Sequence, residues 1–157
     1  MLVDFNTLPE TSKVIIYPSS RKLYKDEFPV FHEKISHFLN DIKHLKVSFK
    51  IEYDRFILFF ISDDTPLSLE KNDELVAFVQ SLEMEFKIVL LDKVNVCFKQ
   101  GEFVQMKEIA DFKKLIKNKS VSKKTVVFDN LINTKEEYEN YWETPAEESW
   151  VSHFFKK

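Results

Sequence analysis

A single glycine, Gly101, serves a chain of 157 residues. Only glycine enters positive φ freely and lets a ligand touch the main chain. Walker-type and dinucleotide-binding loops each need two or three glycines within a short window. No such window exists, so the chain is not expected to bind ATP or NAD by those routes. No other cofactor is expected either.

The length fits one domain covering residues 1–157. Hydrophobic residues make up 44% and charged residues 31%, as in ordinary globular proteins. Sixteen Phe, five Tyr and two Trp supply enough apolar area for a substantial core. A net charge of -3 argues against general affinity for nucleic acid, so none is expected as a partner. The opening residues lack a basic stretch followed by an apolar one, so no signal peptide is expected there. The longest apolar run, Phe56 to Ile61, is too short to span a bilayer, and no membrane partner is expected. One cysteine, Cys97, forms no internal disulfide, which points to a reducing, cytoplasmic setting.

Lys13 to Tyr17 reads as a strand ended by Pro18. Phe28, Phe31, Ile35, Phe38, Leu39 and Ile42 then recur at helical spacing, with Asp26 as the expected cap and Pro29 in the first turn. Lys46 to Tyr53 alternates apolar and polar residues as a half-buried strand does. Arg55 to Ser62 is continuously apolar and predicts a strand buried on both faces. Asp54 and its neighbours make the two a hairpin. A second helix is expected over Leu69 to Phe86, and a strand over Val94 to Lys99. Gly101 turns that strand into a hairpin with Glu102 to Lys107. A helix over Lys107 to Asn118 and a short strand over Thr125 to Phe128 follow. Thr134-Lys-Glu-Glu137 and Thr144-Pro-Ala-Glu147 read as capping boxes for two closing helices. The order predicts an α+β fold: a ferredoxin-like β-α-β-β-α-β core with a C-terminal β-α-β-α-α extension.

Three stretches carry a family resemblance. They are Ile16-Tyr-Pro-Ser-Ser-Arg21, Leu90-Leu-Asp-Lys-Val-Asn-Val96, and Val127 to Thr134 continued by Trp142 to Trp150. In them the chain resembles a family of small bacterial proteins commonly labelled "ABC transporter ATPase". That label implies nucleotide hydrolysis. The chain has no G-x-x-x-x-G-K-[ST] and is short for a transporter ATPase domain, so no such activity is expected of it. Where relatives carry a G-C-S-I-D-like segment this chain reads Thr65 to Glu70, so no thiol role is carried over there.

Several clusters invite a chemical reading. Glu33, His37, Asp41 and His44 share one helical stripe, centred away from the apolar face, and read as a solvated outer face. His32 and His37 are one residue too far apart for a zincin pair. No metal site is expected. Cys97 sits between Val96 and Phe98 and reads as a buried structural thiol. Lys113, Lys114, Lys117, Lys119, Lys123 and Lys124 form a basic cluster, matched by the glutamates between Glu136 and Glu148. Arg21 and Arg55 are the only arginines. Tyr17, Ser19, Ser20 and Arg21 form a candidate anion-binding loop ahead of the first helix. An ion pair within the fold is the other reading of Arg21. Arg55 is expected to be structural. Asp129, Asn130 and Asn133 read as turn and capping residues.

Tyr138, Tyr141, Trp142, Trp150, Phe154 and Phe155 crowd the C-terminus, either as a clasp over the core or as an exposed interface. Tyr141, Trp142, Trp150 and Phe154 are the candidate interaction residues. No credible catalytic set accompanies them. The expected function is a non-catalytic protein-interaction or regulatory module, acting on a protein partner or on a second copy. A small enzyme or anion-ligand-binding protein using the Tyr17–Arg21 loop is the alternative.

Overall fold

The computed structural model describes residues 1–92 and 94–156. Lys93, inside the second stretch of the family resemblance, lies outside the described residues, as does Lys157. Seven strands and four α-helices alternate along the described chain. The first three strands are β1 (Lys13–Pro18), β2 (Val47–Glu52) and β3 (Phe56–Ile61), with α1 (Phe28–Asp41) between β1 and β2. Next come α2 (Leu69–Phe86), β4 (Val96–Gln100), β5 (Phe103–Lys107) and α3 (Ile109–Lys117). The chain closes with β6 (Val126–Phe128), α4 (Lys135–Tyr141), β7 (Glu143–Pro145) and short 3-10 turns.

The strands form two antiparallel sheets, ordered β1-β3-β2 and β5-β4-β6-β7. The run Phe-Ile-Leu-Phe-Phe-Ile explains why two are needed. All six residues of β3 are buried. Successive side chains of a strand point to opposite faces. Ile57, Phe59 and Ile61 enter a core with Phe31, Ile35 and Leu39 of α1 and Leu75, Val79 and Leu82 of α2. Phe56, Leu58 and Phe60 enter a second core, shared with Cys97 and Phe128 of the other sheet and with Trp142. The far face of that sheet, through Val96, Phe98 and Val127, packs on Phe112 of α3. The result is four layers: α1 and α2, first sheet, second sheet, α3.

The first sheet has the strand order that the opening three strands of a ferredoxin-like core take. The fourth strand of such a core would lie along the free edge of β1. The chain does reach that edge after α2. Ser20 N–H donates to Val89 O at 3.0 Å, and Val89 N–H donates to Ser20 Oγ at 2.9 Å. Glu83 of α2 then accepts the next two N–H groups, from Leu90 at 2.7 Å and Leu91 at 3.2 Å. Donors committed to a carboxylate cannot extend a ladder. The next strand, β4, joins the second sheet instead.

Local expectations fared unevenly. The β2–β3 hairpin is tight, and its three-residue turn, Tyr53 to Arg55, places Tyr53 at φ 55° and Asp54 at φ 56°. Gly101, at φ 61°, opens the β4–β5 hairpin as predicted. The Thr134 capping box forms: Glu137 N–H donates to Thr134 Oγ1 at 3.2 Å. Its reciprocal bond is displaced by one residue, since Glu137 Oε1 accepts from Asn133 N–H at 3.1 Å. The second box does not form. Thr144 lies in β7, and its hydroxyl donates to Tyr141 O at 2.8 Å. Pairing of β7 with β6 outweighs the local capping preference. Asp26 does not cap α1 either; Glu27 stands at the N-cap without a side-chain cap bond.

Trp142 joins the inner walls. It is 2% exposed, its Nε1–H donates to Asn130 Oδ1 at 2.9 Å, and its ring meets Phe56 and Phe128 at 5.1 and 4.9 Å. Trp142→Ala removes a large buried ring and leaves the Asn130 amide short of a partner. It is expected to cost about 3–5 kcal/mol, read as a lower midpoint in guanidinium unfolding.

Candidate functional site

Two surface grooves adjoin at the segment that follows β6. One, about 360 Å³, runs along β1 and is walled by Asn72 and Val76 of α2, by Leu91 and by the segment from Asn130 to Asn133. The other, about 230 Å³, is lined by Val94, Ile109, Phe128 and Trp150, among others. Asn130 and Leu131 belong to both. Large apolar side chains are exposed around them: Val94 at 70%, Leu131 at 68%, Trp150 at 38%, with Leu91 and Ile109 close behind.

Backbone chemistry marks the floor of the first groove. Val14 N–H points away from β3 and donates to Asn133 O at 2.9 Å. Ile16 has the same parity along β1 and faces the same way. No hydrogen bond within the described chain reaches its N–H. Pro18, next at that parity, has no N–H to offer, which suits an edge strand.

The C-terminal aromatics divide between core and surface. Trp142 is in the core, which corrects its placement among the interaction residues: its indole N–H has a buried partner in Asn130. Tyr141 is exposed and Trp150 borders the second groove. Phe154 is half-buried against the third core and carries Lys113 Nζ 4.8 Å above its ring. Sequence reasoning missed Leu131, which sits among Asp129, Asn130 and Asn133. Asp129 does make a turn, accepting Leu131 N–H at 3.0 Å. Asn130 instead is buried and bridges Trp142 to Cys97 Sγ. An apolar residue at the tip of a polar turn was the available signal.

The Tyr17–Arg21 loop is closed on itself. Arg21 forms a bidentate pair with Glu27, both bonds at 2.9 Å, and donates also to Phe86 O at 3.0 Å. Hydrogen bonding to the guanidinium holds the Glu27 carboxyl below its usual pKa. Ser19 is buried and Ser20 is tied to Val89 on both sides. Tyr17 is buried against Phe59, and burial pushes its phenol up to about 12.

Arg55 binds the same loop from behind. Its guanidinium donates to Ser19 O at 3.2 Å, Ser20 O at 3.1 Å and Val104 O at 2.8 Å. It thereby links the end of β1 to β5 in the other sheet.

Glu33, His37, Asp41 and His44 are all exposed, and His37 stands 3.7 Å from Asp41. In the basic cluster, Lys124 pairs with Glu147 at 3.0 Å and Lys114 faces Asp111 at 3.9 Å. No helix among the described residues is long and apolar enough to cross a membrane. No family model matches the chain, and neither a curated protein nor a solved structure does.

Cys97 is buried, and burial pushes its thiol from 9.0 up to about 11. The neutral thiol is thus the form that the fold favours. Its contribution to stability is complete below about pH 9 and is lost as pH rises towards 11. Denaturation midpoints are expected to fall across that window, and less steeply in Cys97→Ala. Iodoacetamide at pH 8 is expected to leave the folded protein unmodified.

Proposed function

We propose that this chain is a non-catalytic protein-interaction module that docks an extended segment of a partner protein in the paired grooves. The observation that carries the reading is the exposed apolar border of Leu91, Val94, Ile109, Leu131 and Trp150 around them. A contiguous apolar patch on a small protein marks a contact surface. The Ile16 N–H on the groove floor supports an extended occupant, because a strand-like peptide supplies a carbonyl at that position. We read the first half of the chain as a ferredoxin-like unit whose fourth lane, beside β1, is taken at its start by Asn133 and Thr134 and left open at Ile16 for the partner. The three stretches of the family resemblance meet here. Ile16 and Tyr17 form the floor, Leu91 and Val94 one wall, and Phe128 to Asn133 the other. That family likeness is part of the proposal, as is a cytoplasmic location.

The walls of the first groove also discriminate between occupants. A second copy of the chain would have to bring an edge strand still attached to its own sheet. A slim single strand fits where a folded sheet edge does not. The lining side chains are mostly apolar or amides, so an uncharged, apolar sequence is the expected match.

A displayed library of random peptides, selected on the purified protein, tests this. Apolar binders are expected that lose binding on Leu131→Asp or Trp150→Ala and that slow hydrogen exchange at the Ile16 amide. Both substitutions are at exposed positions and are expected to leave the thermal midpoint within a few degrees. Failure to select any such binder, or binding indifferent to both substitutions, would overturn the reading.

A further inference from the structure

A separate cleft of about 200 Å³ lies between the β2–β3 turn and β5, lined by Lys22, Tyr53, Arg55, Glu102, Val104 and Gln105, among others. Arg55 sits at its base. A guanidinium carries five N–H donors. Three of the five account for the bonds to Ser19, Ser20 and Val104. Every one of these acceptors is a neutral carbonyl. No carboxylate lies within 4.0 Å of the group among the described residues, whereas Arg21 is closed by Glu27. Burial lowers the Arg55 pKa, and no acidic side chain other than the Cys97 thiol acts against that pull. Among the described residues the chain thus holds a half-buried guanidinium with no carboxylate in direct contact, and with donors to spare.

The rim is built in an unusual way. Tyr53 and Asp54 both occupy the left-handed region, which side chains other than glycine enter at a cost of about 1–2 kcal/mol each. Here Asp54 O accepts Leu23 N–H at 2.7 Å, and Tyr53 Oη donates to Glu143 Oε2 at 2.7 Å. These bonds hold the turn against the cleft. Lys22 stands opposite, its ammonium 3.9 Å from Asp54 and well exposed. That contact is long, so the ammonium retains donors for a ligand.

We propose that this cleft binds a carboxylate, received by the spare N–H groups of Arg55 and by the Lys22 ammonium. The planar fork matches the two oxygens of a carboxylate. Glu102 also lines the cleft, and with Asp54 on the rim it disfavours a doubly charged anion. The cleft has no lining residue in common with the β1 grooves, so this site and the peptide-docking reading stand or fall separately.

Acetate titrated into nitrogen-labelled protein tests it, with sodium chloride at matched ionic strength as the blank. Saturable shifts are expected at the Arg55 side-chain N–H and at the Val104 and Gln105 amides. Gln105→Glu introduces an internal competitor and is expected to weaken acetate about tenfold, or about 1.4 kcal/mol. Lys22→Ala, at an exposed position, is expected to weaken it as well while leaving the thermal midpoint unchanged. An absence of saturable shifts in the folded wild type would overturn the proposal. So would wild-type affinity in both variants, or phosphate saturating the same resonances at lower concentration than acetate.

Discussion

Burial of β3 on both faces is the constraint from which the architecture follows. A strand of six large apolar residues cannot leave one face to water without exposing three of them. Helices α1 and α2 cover one face. The second sheet covers most of the other, with Tyr138 of α4 and Phe5 closing over Phe60. That sheet then has an apolar outer face of its own, which α3 and the C-terminal turns close. At roughly 25 cal/mol per Å² of apolar area, the aromatic side chains facing inward at these three interfaces dominate the favourable side of folding.

Two arginines join what the cores alone would leave loose. Arg21 fastens the loop after β1 to the start of α1 and the end of α2, through Glu27 and Phe86 O. Arg55 fastens the same loop to β5. Both use the geometry of the guanidinium rather than its charge alone, since each reaches main-chain carbonyls in different directions. Their electrostatics differ. One charge is neutralised internally, and the other faces a cleft. The buried lysine of α4 plays a related part: Lys135 Nζ donates to Phe5 O and Leu8 O and ties the N-terminal segment to the second core.

Much of the site was hidden from sequence for one reason. Leu131, Val94 and Leu91 lie in irregular segments, where no periodicity separates an inward residue from an outward one. Trp142 and Trp150 are alike as letters, yet one has the Asn130 carbonyl within reach and the other has solvent. The Thr144 box failed likewise, because pairing with β6 is a long-range event. Helix α2, by contrast, spans the residues expected of it, since its apolar spacing is local.

The sequence by itself determined the α+β class, the four α-helices, the first three strands and the two-sided burial of β3, because those rest on local patterns. It also excluded glycine-built phosphate loops. Only the tertiary structure decided that Tyr53, Asp54, Lys87 and Lys119 would take the left-handed turns that a glycine-poor chain still needs. It alone diverted the segment after α2 from β1, through the Glu83 carboxylate, and left one arginine paired and the other open. The reason is physical: ladders, ion pairs and clefts join residues far apart in the chain, and their geometry exists only once the layers have packed.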